Sequence, residues 1–258
     1  VYKRQYQRRA HECIEDEKAA FLLFDTCKEW LEKRGLEGMD GPINFGERDK
    51  FWGLLVDIFE DPVYSMNYNP PYYQEFFENY GFQVYFKQYT FMRDGFHHLD
   101  EKVHEKSRRL LENPDYRVDS LEKGTLDEYA DKFMTVYNDA WGGHDGFKMM
   151  KKEQALNLMK AIKPIMDNDV IIFAYYKERP VGFFVMLPEL NQLFRYVNGN
   201  LNWWGKLKFA WYRWRGKCRK LSGVVFGVTP EHQAKGVDSA MAAKTQEMYL
   251  RINRYDSM

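Results

Sequence analysis

From Glu17 to Arg34 the apolar residues Ala20, Phe21, Phe24, Cys27, Trp30 and Leu31 recur at spacings of three and four, and Gly35 follows. That spacing predicts an amphipathic helix with a glycine stop. Tyr72, Tyr73, Phe76, Phe77 and Tyr80 repeat the pattern behind Asn69 as a candidate cap, with Pro70 and Pro71 suited to a first turn and Gly81 as the end. Between these helices, Gly41-Pro42, Ile43–Phe45 and Trp52–Val56 suggest short strands and turns, and Val84–Met92 alternates like a strand. Residues 97–113 are charged throughout and stop before Pro114, as a connecting helix would.

Beyond that proline the pattern predicts a strand at Tyr116–Ser120, a helix from Leu126 to Asn138 and another from Lys151 to Met166. Val170–Tyr176 and Val181–Leu187 flank Lys177-Glu178-Arg179-Pro180, as the arms of an antiparallel hairpin. Ser222–Val228 reads as a further strand and Ala240–Arg251 as a final helix.

At 258 residues, 45% hydrophobic and 17% aromatic, the chain has material for two packed domains. Lys plus Arg and Asp plus Glu both number 38, so any basic surface must be local. Three cysteines without CxxC spacing argue against a disulfide framework or a zinc site and suit a reducing cytoplasm. His97, His98 and His104 lack metal-ligand spacing, and no metal is expected. His144, in Gly142-Gly143-His144-Asp145-Gly146, is a mobile-loop candidate for the site, with a polar turn as the competing and favoured reading. No apolar run approaches the roughly 18–20 residues of a spanning helix. Val1-Tyr2-Lys3-Arg4-Gln5 has no initiator Met, and the chain is read as a fragment.

The most informative segment runs from Gly227 to Ala240, a strand end followed by a loop with Gly236 and then a helix. First-turn amides have no intrahelical acceptor, so Lys235 to Ser239 can aim several N–H groups at a pyrophosphate, with Gly236 permitting close approach. An ordinary helix start is the competing reading. Here the chain resembles the GNAT superfamily of N-acyltransferases, whose loop after the fourth strand reads Gln/Arg-x-x-Gly-x-Gly/Ala and binds the pyrophosphate of acetyl-CoA. Gln233-x-x-Gly236 matches, and the last small residue is Asp238 here, which sets a carboxylate beside the phosphate position. The resemblance implies acetyl-CoA or another acyl-CoA as co-substrate, held by Phe226, Gly227, Val228, Gln233, Ala234, Lys235, Gly236, Val237, Asp238 and Ser239. Strand residues Phe226, Gly227 and Val228 would hold the pantetheine arm and thioester through backbone N–H groups.

Asn69-Pro70-Pro71-Tyr72-Tyr73 through Tyr80-Gly81-Phe82 resembles the late GNAT segment, in which a helix ends in Gly-Phe and feeds a strand. The resemblance thus implies an α/β chain of two tandem GNAT-like repeats, with mixed central sheets flanked by helices. Residues 1–95 would be a structural repeat lacking its start, 96–114 a connecting helix, and 115–258 an acyltransferase repeat lacking its end. The stretch with Gly41-Pro42, Leu54-Leu55-Val56 and Tyr68-Asn69-Pro70-Pro71-Tyr72-Tyr73 also resembles a group of uncharacterised bacterial tandem GNAT proteins. In the first repeat, Glu12, Glu15, Asp16 and Glu17 would repel a pyrophosphate.

The implied reaction moves an acetyl or longer acyl group to the amine of a small molecule or peptide. The family's usual acid, a Tyr, belongs past Met258. Base candidates are Glu189, after the hairpin, and Asp139, expected in a loop over the site. The alternative is a non-catalytic GNAT-like protein that binds a ligand or partner.

An insertion at 190–221 has its own composition, with eight basic and no acidic residues between Arg195 and Lys220. At helical spacing Trp203, Trp204, Leu207, Ala210, Trp211, Trp214 and Cys218 share an arc of about 120°, and the Lys and Arg residues fall outside it. Such a helix can pack on its own domain, with solvated cations, or lie peripherally on an anionic membrane through 200–220. A nucleic-acid or acidic-partner surface fits less well, and no nucleic acid is expected. A cytoplasmic protein, peripheral to the inner membrane face if the second use holds, is the expected location.

Overall fold

The computed structural model describes residues 13–42, 53–64, 66–143, 148–198 and 200–258. Glu12, Ile43–Phe45, Trp52 and His144 fall outside them. The chain divides into two units, Val1–Thr90 and Phe91–Met258.

In the first unit, α1 (Glu17–Glu32) and α2 (Tyr72–Tyr80) follow the predicted bounds closely. They bury Ala20 and Phe24 against Phe76 and Phe77. Gly81, at φ 107°, closes α2 in the left-handed conformation that glycine tolerates. Asn69 does not cap α2. Its amide instead takes the backbone N–H of Leu55 at 2.8 Å and donates to the Leu55 carbonyl at 3.1 Å. That grip satisfies an extended segment without a ladder, and Leu54–Val56 forms no strand. Val84–Met92 forms none either, because alternation specifies two faces but supplies no neighbouring strand. No central sheet therefore forms among the described residues of this unit.

The second unit is a three-layer α/β arrangement. Strands β1 (Tyr116–Ser120), β2 (Ile171–Tyr176), β3 (Arg179–Pro188) and β4 (Leu221–Val228) pair in that order. All three pairings are antiparallel, so the sheet is not mixed among the described residues. Lys177 and Glu178, both at positive φ, turn β2 into β3. Strand β2 is a continuous apolar run because both its faces are covered. Ile172 and Ala174 join the core shared with α3 (Glu101–Leu111) and α8 (Val237–Ile252). Ile171, Phe173 and Tyr175 join the core shared with α4 (Leu126–Trp141) and α5 (Lys152–Ile162).

Helix α3 is not a connector. It belongs to the second unit, where Leu110 enters the core with α8. Next to it, the Gln246 amide of α8 donates to the His97 carbonyl at 2.9 Å. The insertion folds as α6 (Asn191–Phe194) and α7 (Trp203–Trp214), and Cys218 lies past the end of α7, buried, rather than on its Trp face.

Candidate active site

At the end of β4 the chain makes a short turn at Pro230–His232 and enters α8 through Ala234 and Gly236, both at positive φ. Gly236 has two reasons to be glycine. Its φ is 99°, and a Cβ would meet the Lys106 carbonyl of α3 at 3.0 Å. Glycine at this N-cap also leaves the first turn of α8 without a side-chain cap. Helix α1 differs, because the Asp16 carboxylate already accepts from the N–H groups of Lys18 and Ala19. Of the two helix starts compared in the sequence, only that of α8 keeps its donors for another acceptor.

Beside this turn lies a cleft of about 390 Å³ lined by Ala140, Trp141, Phe226, Gly227, Val228, His232, Gln233, Ala234 and Asp238. Six of the ten residues expected to hold a cofactor line it: Phe226, Gly227, Val228, Gln233, Ala234 and Asp238. Gln233 works on the protein itself, donating from Nε2 to the Val228 carbonyl at 3.0 Å and tying the loop to β4. Val237 and Ser239 are buried at the helix start and Lys235 stays exposed, so these and Gly236 shape the loop without lining the cleft. Trp141 lies across β4 because Gly227 has no side chain, and a Cβ there would stand 2.7 Å from the indole.

Among the described residues strand β4 is the edge of the sheet, and it carries a bulge. Val185 pairs with Val225, but Met186 pairs with Gly223, so Val224 is an extra residue. Val224 and Phe226 are exposed on this edge strand, which presents both side chains and backbone groups next to the cleft.

The first strand adds a feature that the sequence did not single out. His232 is 8% exposed and its Nδ1 lies 2.7 Å from the Tyr116 hydroxyl of β1, with Tyr176 packed on the ring. Burial, reinforced by the Lys235 charge, pushes its pKa below the ordinary 6.5 and favours a neutral imidazole at pH 7. Burial raises the Tyr116 pKa in turn, keeping it a phenol. The only sequence signal was a histidine inside the loop motif. Its partner is more than a hundred residues away, and nothing local reports it.

No protein-family model matches the chain. The chain is similar to a bacterial ceramide synthase of Caulobacter vibrioides, with 25% identity over 255 residues, covering 94% of this chain and 65% of that protein. It is also similar to protein YghO of Escherichia coli, with 22% identity over 234 residues, covering 90% of this chain and 59% of that protein. The chain thus spans about two thirds or less of the curated relatives it matches. Among solved structures, a GCN5-related glucosamine N-acetyltransferase region in a fungal multi-domain β-N-acetylglucosaminidase aligns with 92% of this chain and 24% of that one. Its TM-score is 0.42 at 13% identity. PH1933 from Pyrococcus horikoshii aligns at a TM-score of 0.33 and 16% identity, over 53% of this chain and 72% of that one. The second unit has the element order strand, helix, helix, strand, strand, strand, helix that the sequence pattern predicts from Tyr116 onward, with the short helices α6 and α7 inserted before the last strand.

Neither expected base lines the cleft. Asp139 sits in the last turn of α4, not in an overhanging loop, and its carboxylate accepts from Arg179 at 2.7 Å. Glu189 follows β3 at the end where Pro188 pairs with Leu221, whereas the cleft lies where Gly182 pairs with Val228. It is buried, and one carboxylate oxygen accepts the Asn191 N–H at 2.9 Å at the entry to α6.

Proposed function

We propose that the second unit transfers an acyl group from an acyl-CoA thioester to an amine. The observation that carries this reading is the convergence of an uncapped α8 start, a bulged edge strand and a cleft at one loop. The helix start supplies donors and a dipole for the pyrophosphate. The open edge of β4 supplies backbone groups along which the pantetheine arm would lie. The name of the Caulobacter relative supports a long acyl chain and a long-chain amino alcohol as acceptor, since a ceramide is the amide of such an amine. The first unit, whose helix start is capped by its own Asp16, takes a structural part in this reading, as a partial tandem repeat.

His232 is assigned as the base. In the tautomer that donates its Nδ1–H to the Tyr116 oxygen, the Nε2 lone pair is free to take a proton from the attacking nitrogen. The nitrogen adds to the thioester carbonyl, the oxyanion is held by backbone N–H groups, and the C–S bond breaks. The proton on Nε2 then passes to the departing thiolate, so the products are an amide and CoA thiol.

The test is amine-dependent release of CoA thiol from long-chain acyl-CoA, followed against pH. Because the required form is neutral, the rate is expected to fall as pH drops through a value below 6.5 and to flatten above it. Folding stability moves the same way, since burial favours the neutral ring and acid favours the unfolded chain. Removing the base by His232→Gln should lower the rate about 100-fold or more and abolish the acid limb. An unchanged acid limb in the variant would remove His232 from the mechanism, and no amine-dependent release would remove the transferase reading. Asp238 in the cleft wall favours a second reading, a ligand-binding protein without turnover, which predicts saturable acyl-CoA binding and no thiol release.

A further inference from the structure

Helix α7 is fixed to its domain by one face and presents the opposite face bare. Gly205 is buried, and a side chain there would run into the Asn200 carbonyl. Tyr212 stacks on Tyr196 with ring centres 4.0 Å apart, and Phe209 meets Phe194 at 5.6 Å. Arg213 donates to the carbonyls of Pro164 at 2.7 Å and Ile165 at 3.2 Å. At helical spacing these four positions fall on one side, which sets the rotation of the helix.

Trp203, Trp204, Trp211 and Trp214 therefore point outward, exposed by 74, 73, 52 and 75%. At that exposure this arc does not pack on the described residues of the second unit. Leu207 lies among the four tryptophans, also exposed. Isolated surface aromatics need no explanation, but five large apolar side chains on one helical arc do. Lys206 borders the arc on one side and Lys208 and Arg215 on the other. None of these three forms a salt bridge among the described residues, and no acidic residue occurs from 195 to 220.

We propose that α7 is a docking helix that lies in the interface of an anionic lipid membrane. Indole rings suit the boundary between headgroups and acyl chains, and the flanking cations can reach the phosphates on either side. The missing negative charge along the insertion is what selects a lipid surface of opposite sign over a bare apolar partner. Arg213, one of the cations outside the Trp arc, does not serve this purpose, because its guanidinium is turned into the domain. The inference rests on exposure and charge alone and is independent of any transfer reaction.

The test is co-sedimentation of the chain with vesicles of equimolar phosphatidylcholine and phosphatidylglycerol, against phosphatidylcholine alone, at low and high salt. Binding to the anionic vesicles with a blue shift of Trp emission, weakened by salt, is expected. Trp211→Ser with Trp214→Ser should reduce it at least tenfold, and Lys206→Gln with Lys208→Gln and Arg215→Gln should reduce it about tenfold on anionic vesicles only. All these side chains are exposed, so an unchanged melting temperature verifies that the variants fold. No binding at low salt, or binding indifferent to the tryptophan replacements, would overturn the proposal. Self-association that the same replacements relieve, or capture of single-stranded RNA in place of vesicles, would also overturn it and give the face to a second copy or to nucleic acid.

Discussion

Replacing Phe183 by Ala is expected to destabilise the second unit by about 3–5 kcal/mol. Phe183 is fully buried in the middle of β3. Its ring stacks on Phe133 at 5.1 Å and within 4° of parallel, on Trp141 at 6.0 Å, and edge-on against Phe173 at 6.2 Å. Truncation would leave a cavity among three aromatic side chains that the rigid sheet and α4 cannot close. The melting temperature should fall by roughly 10 °C. Because Trp141 leans on Phe183 and also lines the cleft, the loss should loosen the site as well. Phe226→Ala is the contrast: the ring is half exposed on the edge strand, so stability should change by less than about 1 kcal/mol. Similar melting shifts for the two variants, measured by calorimetry, would contradict this picture of the core.

Replacing Gly236 by Glu should weaken CoA binding at least tenfold, about 1.4 kcal/mol. Three effects act together. The new residue must adopt φ near 99°, which side chains resist; its Cβ presses on the Lys106 carbonyl; and its carboxylate stands at the anion site. Gly236→Ala keeps the first two effects without the charge. A titration in which Ala matches Glu would assign the loss to backbone strain, whereas Ala binding several-fold more tightly than Glu would assign the larger share to repulsion. Affinity unchanged in both would place the pyrophosphate elsewhere.

The elements of the second unit were legible because each carries its own punctuation. The hairpin was marked by a polar turn between two apolar runs, α3 by the proline after it, and α8 by the glycine before it. Val84–Met92 misled because alternation describes what a strand would look like, and pairing depends on a partner elsewhere in the chain. Asn69 misled for a related reason, since a capping side chain and a side chain bridging to a remote backbone look alike in sequence. The Trp arc was legible as an arc, but its direction was set by Gly205, Tyr212 and Arg213, whose partners at Asn200, Tyr196 and Pro164 no periodicity reveals. Around the site, the strand, loop and helix were readable, and the surroundings of the candidate bases were not. Asp139 is spent on Arg179 and Glu189 on the backbone N–H of Asn191, and the buried imidazole depends on a contact across 116 positions.

The measurement that bears most directly on the central claim is amide hydrogen exchange of the chain with and without long-chain acyl-CoA. Slowed exchange confined to Val224–Val228 and the first turn of α8, with no change at the capped start of α1, is the result that acyl-CoA binding at this cleft predicts. Saturable binding that protects other segments and leaves these amides unchanged would contradict it.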